Sequence, residues 1–255
     1  MYGHRPVMAA LDDPALTIDK VLIAEGEGGS TIRDIEGLAR TRGVAVQRIA
    51  AHRLKLLAGN GKHDNGVLAD VVAPRMRTLA RALADDRPET VLLLDGVRTP
   101  ANVGMILRTA TAAGLGGIVV PHRGVASLDP MVVKASAGVA FHAPVLRCGT
   151  AHQAADLLVT AGYQLVGFRA DTADGSTANE SLFDIDLSSP TALVLGSETD
   201  GITPAVAELV TTWATIPMPG AVESLNVASA AAVICFELVR RSVRTPGAGQ
   251  TEENI

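Results

Sequence analysis

The residues best suited to chemistry begin with an asparagine and an arginine six positions apart. Asn102 and Arg108 belong to an N-x-G-x-x-x-R pattern, NVGMILR, which opens a helix predicted over 102–113 with Asn102 at its N-cap. Six helical residues place Arg108 roughly 9 Å along the axis from Asn102. Arg108 lies among apolar neighbours, where an unpaired guanidinium is costly to bury, so we expect it to meet a carboxylate or a phosphate. A surface arginine on an amphipathic helix is the alternative.

A second stretch, LVLGSETDG at 193–201, joins a buried strand to a turn with a glycine at each end. Glycine allows a ligand to approach the backbone closely, and Glu198 supplies a carboxylate within the turn. The pattern differs from the phosphate-binding G-x-G-x-x-G, and the sequence contains no Walker pattern. Both observations argue against a dinucleotide or ATP as the ligand.

A third stretch, 216–241, links a strand predicted over 214–218 to a long helix predicted over 227–241. Pro217, Pro219 and Gly220 exclude regular structure between them, and a polar cluster follows at 223–226. Loops at the strand ends of α/β proteins commonly bind ligands, so this loop is a candidate site. The alternative is a structural helix that Ser224 or Asn226 caps.

The composition indicates which elements must position these loops. The chain is 47% hydrophobic and only 3% aromatic, which is typical of an α/β protein with a buried parallel sheet. No apolar run reaches 18 residues, so we expect no transmembrane helix, and the N-terminus lacks the apolar core of a signal peptide. Cys148 and Cys235 are expected to be buried thiols in a reducing cytoplasm, with no disulfide and no metal site.

Changes of pattern along the chain predict two units. Short helices and strands alternate in a small α/β unit over 1–74, and a charged, partly helical linker covers 75–88. A larger α/β domain spans 89–245, with strands buried on both faces at 91–94 and 192–195. The tail 246–255 is expected to be disordered.

Charge is distributed unevenly between these units. The net charge is −5, but residues 1–88 carry a net +2 and residues 89–255 a net −7. The segment 37–63 contains six basic residues and no acid. Such a stripe is the footprint expected for contacts with a phosphate backbone, and a solvated helix face is the alternative. The candidate RNA-binding residues are Arg40, Arg42, Arg48, Arg53, Lys55 and Lys62.

Taken together, the three stretches resemble the motifs of the SpoU/TrmH family of RNA ribose 2′-O-methyltransferases, within the SPOUT superfamily. NVGMILRTATAAG, LVLGSETDG and IPMPGAVESLNVASAAAV occur in that family's order and spacing. GHRPVMAAL and GKHDNGVLADV, in the N-terminal unit, resemble the ribosomal-protein-like RNA-binding domain of the ribosomal-RNA branch, the 23S rRNA guanosine 2′-O-methyltransferases. One departure is Thr199-Asp200, where many relatives carry a glycine followed by another residue.

The resemblance implies a fold, a cofactor and a partner. The fold is a SPOUT α/β domain with a deep trefoil knot around 193–201 and 216–228, an exception to the rule against knots. The cofactor is S-adenosylmethionine, no metal is needed, and a second copy of the chain completes the site in a homodimer. The implied cofactor-binding residues are Leu195, Gly196, Ser197, Glu198, Gly201, Ile216, Met218, Ser224, Leu225 and Asn226.

The implied reaction transfers a methyl group from a sulfonium to a ribose 2′-hydroxyl. The family's usual proposal makes the motif arginine, here Arg108, the proton acceptor. Because the pKa of arginine lies above about 12, we expect Arg108 instead to hold the substrate phosphate and the developing alkoxide. Asn102, Ser224 and Asn226 would orient the ribose and the cofactor, and Glu198 would be a structural or positioning carboxylate.

The sequence leaves three other functions open. A non-catalytic RNA-binding ribosome-assembly protein with this fold could lose Arg108, Asn226 or the knot glycines, and the chain keeps them. A nucleotide-dependent α/β enzyme would need the glycine fingerprint that is missing here. A tRNA methyltransferase would use the same chemistry, but that branch often lacks the N-terminal unit, which favours 23S rRNA as the substrate.

Overall fold

The computed structural model describes residues 1–14, 16–58, 65–170, 179–187 and 190–244, and within them the strands form two sheets. The first sheet has the order β2-β1-β3, with β1 parallel to β2 and antiparallel to β3. It belongs to an N-terminal unit that consists of α1 (His4–Asp12), β1 (Ile18–Ala24), α2 (Ser30–Thr41), β2 (Ala45–Ile49), α3 (Ala51–Ala58) and β3 (Val67–Val71).

The N-terminal unit has its own hydrophobic core. On α2, Ile32, Ile35 and Ala39 recur at helical spacing and are buried. They pack with Val7 and Leu11 of α1 and with apolar residues of the strands. This core gives the small sheet one covered face.

The second sheet belongs to the larger domain and has the strand order β4-β7-β6-β5-β10-β8-β11-β9, with neighbouring strands parallel. The predicted α/β fold with a buried parallel sheet is therefore confirmed. The elements are β4 (Arg77–Thr78), α4 (Leu79–Asp85), β5 (Thr90–Leu94), α5 (Pro100–Ala112), β6 (Gly117–Pro121), α6 (Pro130–Ala135), a 3-10 turn (Val139–Phe141), β7 (Val145–Cys148), α7 (Ala151–Thr160), β8 (Gln164–Phe168), β9 (Glu180–Ser181), β10 (Thr191–Leu195), α8 (Pro204–Ala207), β11 (Thr212–Thr215) and α9 (Val227–Arg244).

The central strands are apolar along their whole length because helices cover both faces of the sheet. In β5, Leu92 and Leu94 lie in the core that includes α5 and α9. Val91 and Leu93 alternate with them and lie in the core that includes α7. Alternate strand residues point to opposite faces, so two cores require an unbroken apolar run.

The topology brings the loops after β5 and β10 together at one edge of the sheet. The chain leaves β5 for β6 on one side and later returns to β10 on the other side. In a parallel sheet, a crevice forms outside the carboxyl ends of the strands at such a point. Asp95 N donates to Leu195 O at 2.9 Å, and a Cβ on Gly96 would stand 3.3 Å from the Cβ of Ser197.

The segment 75–88, predicted as a linker, contains β4 and α4. β4 pairs with β7 at the edge of the larger sheet, and Leu79 and Ala82 of α4 are buried in the core of the same domain. β4 has only two residues, which is too short to show the apolar alternation from which a strand is predicted. Contact between the units is made farther along the chain, where Phe141 packs against the N-terminal core.

Three element boundaries differ from those predicted. α5 begins at Pro100 with Thr99 as its N-cap, so Asn102 lies in the first turn and is not the cap. β11 ends at Thr215, because Pro217 and Pro219 cannot donate to a strand ladder. α9 continues past its predicted end and finishes at 244. Among the described helices, none combines the length and the hydropathy that a membrane span requires.

Both cysteines are free thiols. Cys235 is buried and Cys148 is half-buried. Burial raises the pKa of the Cys235 thiol to about 12 and that of the Cys148 thiol to about 11. Both side chains are therefore neutral at pH 7, as expected for structural cysteines.

Candidate active site

A cavity of about 380 Å³ lies at the carboxyl edge of the larger sheet, within the size range of small-molecule sites. Its walls are the loops after β8, β10 and β11 together with the first turn of α9. All ten residues predicted to bind a cofactor line it: Leu195, Gly196, Ser197, Glu198, Gly201, Ile216, Met218, Ser224, Leu225 and Asn226. The sequence did not single out Phe168, Arg169 and Thr215, which also line it, although their position at strand ends was an available signal.

The turn 197–201 forms a tight closed wall of this cavity. Ser197 N donates to Gly201 O at 2.9 Å, Gly201 N donates back to Ser197 O at 3.1 Å, and Asp200 N donates to Ser197 Oγ at 2.9 Å. Gly201 has a φ of +67°, whereas the φ of Thr199 is not positive. The turn therefore closes without a glycine at position 199, where the sequence departs from many relatives. Gly196 is required because a Cβ there would overlap the backbone of Gly201 and Ile202.

Helix α5 packs closely against α6 because a glycine of α5 lies at their contact. A Cβ on Gly104 would lie 2.6 Å from Val132 O and 2.6 Å from the Cβ of Ala135, both on α6. The glycine of the N-x-G-x-x-x-R pattern thus sets the distance between α5 and α6. This contact holds the first turn of α5, with Asn102, next to the glycine-bracketed turn.

Asn102, Glu198 and Asn226 form one hydrogen-bonded cluster that joins the three predicted motifs. Asn102 Nδ2 donates to Glu198 Oε2 at 2.9 Å. Asn226 Nδ2 donates to Glu198 Oε1 and, at 3.2 Å, to Asn102 Oδ1. Asn102 is buried, whereas Glu198 and Asn226 are exposed to the cavity. Both carboxylate oxygens of Glu198 are engaged, so its role as a structural carboxylate agrees with its surroundings.

Asn226 also caps the C-terminal helix. Its Oδ1 accepts from Ala228 N at 2.9 Å and from Ser229 N at 3.4 Å. The sequence analysis gave helix capping as the alternative to ligand binding. Asn226 caps the helix and also lines the cavity. Ser224, the other candidate cap, is exposed in the preceding loop and lines the cavity.

A buried carboxylate that the sequence analysis did not single out fixes the base of the site. Asp95 Oδ2 accepts from Thr203 N at 2.6 Å and from Thr203 Oγ1 at 2.7 Å. The bond ties the end of β5 to the chain that follows the glycine-bracketed turn. An aspartate directly after a buried strand was the signal that could have indicated it.

Arg108 lies outside the cavity on the exposed face of α5. Its apolar neighbours Ile106, Leu107 and Ala110 face the core, and the helical period turns Arg108 toward solvent. Arg108 makes no ion pair or hydrogen bond with another described residue, so no carboxylate of the described chain binds this guanidinium, and its contact with a phosphate stays a prediction. It shares an exposed stripe with Ala101, Met105 and Ala112, at helical spacing.

The six basic residues predicted to bind RNA divide into four groups, and Arg42 alone forms the fourth. Arg40, Arg53 and Lys55 are exposed. Arg48 is exposed but pairs with Glu36 at 2.8 Å and donates to Glu27 O. Lys62 lies outside the described residues.

Arg42 does not have the predicted role. Its guanidinium donates to four backbone carbonyls, those of Ala10, Leu11, Asp13 and Leu16, at 2.6–3.0 Å. It fixes the end of α1 and the loop that follows. A basic side chain that binds carbonyls in this way cannot be told from a solvated one by local charge composition.

Within the described ranges, no three His, Cys, Asp or Glu side chains are grouped so that they could hold a metal ion. Glu198, a carboxylate that lines the cavity, is already bonded to two side-chain amides.

Two family profiles match the chain. The profile described as the SpoU rRNA Methylase family matches residues 89–236, which is more than half of the chain. The chain belongs to the SpoU rRNA methylase family. A second profile, described as RNA 2'-O ribose methyltransferase substrate binding, matches residues 1–77. The SpoU/TrmH resemblance is thus confirmed, and the matched ranges include both the small and the large sheet.

Individual members of the SpoU family are similar along almost the whole chain. The 23S rRNA (guanosine-2'-O-)-methyltransferase RlmB of Xylella fastidiosa (strain 9a5c) is 34% identical over 247 residues, 94% of this chain and 96% of that protein. The RlmB of Xanthomonas axonopodis pv. citri (strain 306) has the same identity and coverage. The crystal structure of the SpoU methyltransferase AviRb from Streptomyces viridochromogenes, in complex with the cofactor AdoMet, covers 95% of this chain and 89% of its own at 29% identity and a TM-score of 0.62.

Proposed function

We propose that the protein is an S-adenosylmethionine-dependent methyltransferase that modifies a ribose 2′-hydroxyl in 23S rRNA. The observation that carries the proposal is the hydrogen-bonded cluster of Asn102, Glu198 and Asn226, which joins the three motifs beside the cavity that Glu198 and Asn226 line. The similarity to 23S rRNA methyltransferases extends through the N-terminal unit, which supports rRNA over tRNA as the substrate.

The residues of the cavity fit S-adenosylmethionine. Leu195, Ile216 and Met218 provide apolar walls, and Gly196 leaves its backbone accessible to a flat ring. Asn226 and Ser224 add polar groups at the mouth. When bound, S-adenosylmethionine supplies a methyl group on a positively charged sulfur. The protein holds it away from bulk water and orients it through a few polar contacts.

The ribose hydroxyl must lose its proton as it attacks; in this proposal an oxygen of the substrate phosphate accepts that proton, and Arg108 stabilises the charge that develops. Arginine stays protonated at all relevant pH values, so it cannot accept the proton. A guanidinium can hold a phosphate with one edge and face the developing alkoxide with another. Asn102 contributes by holding Glu198, and thereby the turn 197–201, in place.

A second copy of the chain is needed to bring Arg108 to a cavity. Within one chain, Arg108 lies on the exposed stripe of α5 and does not line the cavity. α5 packs against α9, and both helices expose apolar side chains: 42% of Met105 on α5, and 52% of Phe236 and 74% of Val243 on α9. An exposed apolar surface of this kind marks an interface. A two-fold homodimer through α5 and α9 covers it and brings Arg108 of one subunit to the cavity of the other.

The N-terminal unit holds structured RNA in this proposal. Arg40, Arg53 and Lys55 form the contact surface, because they are exposed and, among the described residues, unpaired. Arg48 contributes only after it leaves Glu36, and Arg42 has a structural role. The N-terminal unit, which ends at about 74, and the larger domain, which begins at about 89, act together on one RNA. The knot around 193–201 and 216–228 shapes the cofactor cavity. The cytoplasm, where rRNA is made, is the compartment of such an enzyme.

Transfer of labelled methyl groups from S-adenosylmethionine to RNA tests the proposal. Separate reactions contain 23S rRNA and total tRNA from a strain that lacks the gene. Label in 23S rRNA alone supports the proposed substrate, and label in tRNA alone overturns it. Cofactor binding without transfer to either RNA favours a ribosome-assembly protein with this fold.

A further inference from the structure

A basic surface outside the cofactor cavity runs along the carboxyl edge of the larger sheet. It consists of Arg98 after β5, His122 and Arg123 after β6, and Arg147 near the end of β7, and it is called here the edge surface. Arg98, His122 and Arg123 are exposed, and Arg147 is half-buried. These strands are adjacent in the sheet, so at about 4.8 Å per strand the surface extends about 10 Å from β5 to β7.

Backbone hydrogen bonds hold the loops of the edge surface against each other. Ala126 N donates to Val97 O at 3.0 Å, which joins the loop after β6 to the loop after β5. His122 N donates to Cys148 O at 2.9 Å, and Arg123 N donates to Gly149 O at 3.1 Å. The side chains therefore project from fixed positions rather than from independent loops.

Arg147 fixes the protonation state of His122. Arg147 Nη1 donates to Val120 O at 2.7 Å, and Arg147 Nη2 lies 2.8 Å from His122 Nδ1. The neighbouring guanidinium lowers the pKa of His122, so the imidazole is neutral at pH 7. Because arginine can only donate, Nδ1 accepts and Nε2 carries the hydrogen. His122 thus offers a neutral N–H donor beside two cations.

The acids Asp95, Asp129 and Glu198 at the same edge are hydrogen-bonded to neutral groups, and none of them forms an ion pair with the edge surface. Asp95 is bonded to Thr203, Asp129 accepts from two amides at the start of α6, and Glu198 is bonded to two asparagines. Over the described part of the chain, Arg98 and Arg123 make no hydrogen bond or ion pair. Two carboxylates of the turn 197–201, those of Glu198 and Asp200, are exposed beside Arg98 at one end of the surface.

The edge surface connects the catalytic loops with the N-terminal unit. At one end, Arg98 lines a small cleft of about 100 Å³ together with Glu198 and Asp200. At the other end, the loop after β6 leads into α6 and then to Phe141, which packs against the N-terminal core. The loop that carries His122 and Arg123 therefore continues, through α6, into the segment that contacts the N-terminal unit.

We propose that the sugar-phosphate backbone of the substrate RNA crosses the edge surface, with phosphates bound by Arg98 and Arg123 and a further oxygen by His122 Nε2. The proposal rests on the proposed function and adds a second RNA contact to the N-terminal one. It places the strand next to the modified nucleotide on the methyltransferase domain itself, which orients the ribose relative to the cavity. Fixed phosphate contacts of this kind set register without reading bases.

Salt-dependent binding of 23S rRNA to the Arg98→Gln/Arg123→Gln double variant of the full-length chain tests this proposal. Both side chains are exposed, so the fold and S-adenosylmethionine affinity are expected to be unchanged. We expect the Kd for RNA to rise about tenfold or more, and the slope of log Kd against log salt to fall by about 0.7 for each lost phosphate contact. The KM for RNA rises in parallel, whereas kcat at saturating RNA changes little.

Arg81→Gln is the matched control, since Arg81 is a highly exposed arginine of the same domain whose charge pairs with Asp85 on α4. It should leave the Kd and the salt slope at wild-type values. A double variant with wild-type Kd and slope overturns the edge surface as an RNA contact. Wild-type protein that neither binds nor methylates rRNA overturns the proposed function instead, so the two failures are distinguishable.

Discussion

Asn102 and Glu198, 96 positions apart in sequence, are joined by a 2.9 Å hydrogen bond from Nδ2 to Oε2. The bond connects the first turn of α5 to the turn that follows β10, and Asn226 completes the cluster from the start of α9. One carboxylate therefore holds three separate segments around the cavity. The position of the cofactor walls depends on this single group.

Replacing Glu198 with Gln tests that dependence. One amide N–H₂ of the glutamine must then face the N–H₂ of Asn102 or Asn226, so at least one hydrogen bond is lost. We expect the free energy of unfolding to fall by about 1–3 kcal/mol. Affinity for S-adenosylmethionine should fall by about tenfold, as measured by calorimetric titration.

The control for this substitution is Glu223→Gln, which removes the same charge from the same cavity at an exposed position. It should bind the cofactor within about twofold of wild type, because surface substitutions away from such contacts have small effects. Equal losses in both variants would show that charge, and not the hydrogen-bonded cluster, governs binding.

Replacing Gly196 with Ala should remove cofactor binding. The new Cβ would overlap the backbone of Gly201 and Ile202, so the turn 197–201 must move. Overpacking of this kind costs about 1–3 kcal/mol of stability, measurable by urea denaturation. Gly220→Ala, in the loop after β11, is the matched control because a Cβ there meets nothing within 4 Å. If Gly196→Ala kept the wild-type cofactor affinity, the close packing of Gly196 against the turn 197–201 would not be required for binding.

Replacing Arg108 with Ala should preserve S-adenosylmethionine binding and reduce kcat about 100-fold or more, as expected when a stabiliser of developing charge is lost. Cofactor binding persists because the walls of the cavity come from the loops after β8, β10 and β11 and from the start of α9, whereas the proposed partners of Arg108 are the RNA phosphate and the developing alkoxide. Turnover within a few-fold of wild type would show that Arg108 has no catalytic role.

Mixing this variant with Asn226→Ala tests whether the two chains share a site. In a mixed dimer, the intact cavity of the Arg108→Ala chain receives Arg108 from the Asn226→Ala chain. Random exchange of subunits should restore about a quarter of wild-type activity, since half of the dimers are mixed and each has one complete site. A mixture as inactive as its components, although exchange is demonstrated, would indicate that each site uses its own Arg108.

The fold class and the loops that form the cavity could be predicted from the sequence because both follow from local patterns of residues. Apolar runs such as 91–94 and 192–195 predicted the buried parallel strands, and the motifs placed polar residues at their ends. The contacts of individual side chains depend on distant partners. The cluster around Glu198, the Asp95–Thr203 bond and the four carbonyls bound by Arg42 each join segments that no local pattern connects. The helical period allowed Arg108 to be a surface arginine, but its apolar neighbours in sequence left that alternative undecided.

The C-terminal helix should lose stability in acid through Glu237. This buried carboxylate accepts from Arg240 Nε at 2.6 Å and from Arg241 Nε at 2.8 Å, and these bonds lower the pKa of Glu237 from 4.5 to about 2. A lowered folded-state pKa stabilises the protein above pH 4.5, and that contribution is lost as the pH falls from 4.5 to about 2.

Glu237→Gln should therefore lower the free energy of unfolding by about 1.5–3 kcal/mol at pH 7, because hydrogen bonds to a charged group are weakened. The difference between variant and wild type should shrink steadily below pH 4.5 in urea denaturation. A difference that stays constant down to pH 3 would mean that packing, and not ionisation, is responsible.

The most direct test of the proposed activity is the position of the transferred methyl group in the RNA product. Labelled 23S rRNA is hydrolysed in alkali, which cleaves next to every free 2′-hydroxyl and spares a methylated one. Ribose methylation predicts that the label is recovered in an alkali-resistant dinucleotide, and that Arg108→Ala abolishes this product. Label recovered in mononucleotides would place the methyl group on a base and contradict 2′-O-methylation.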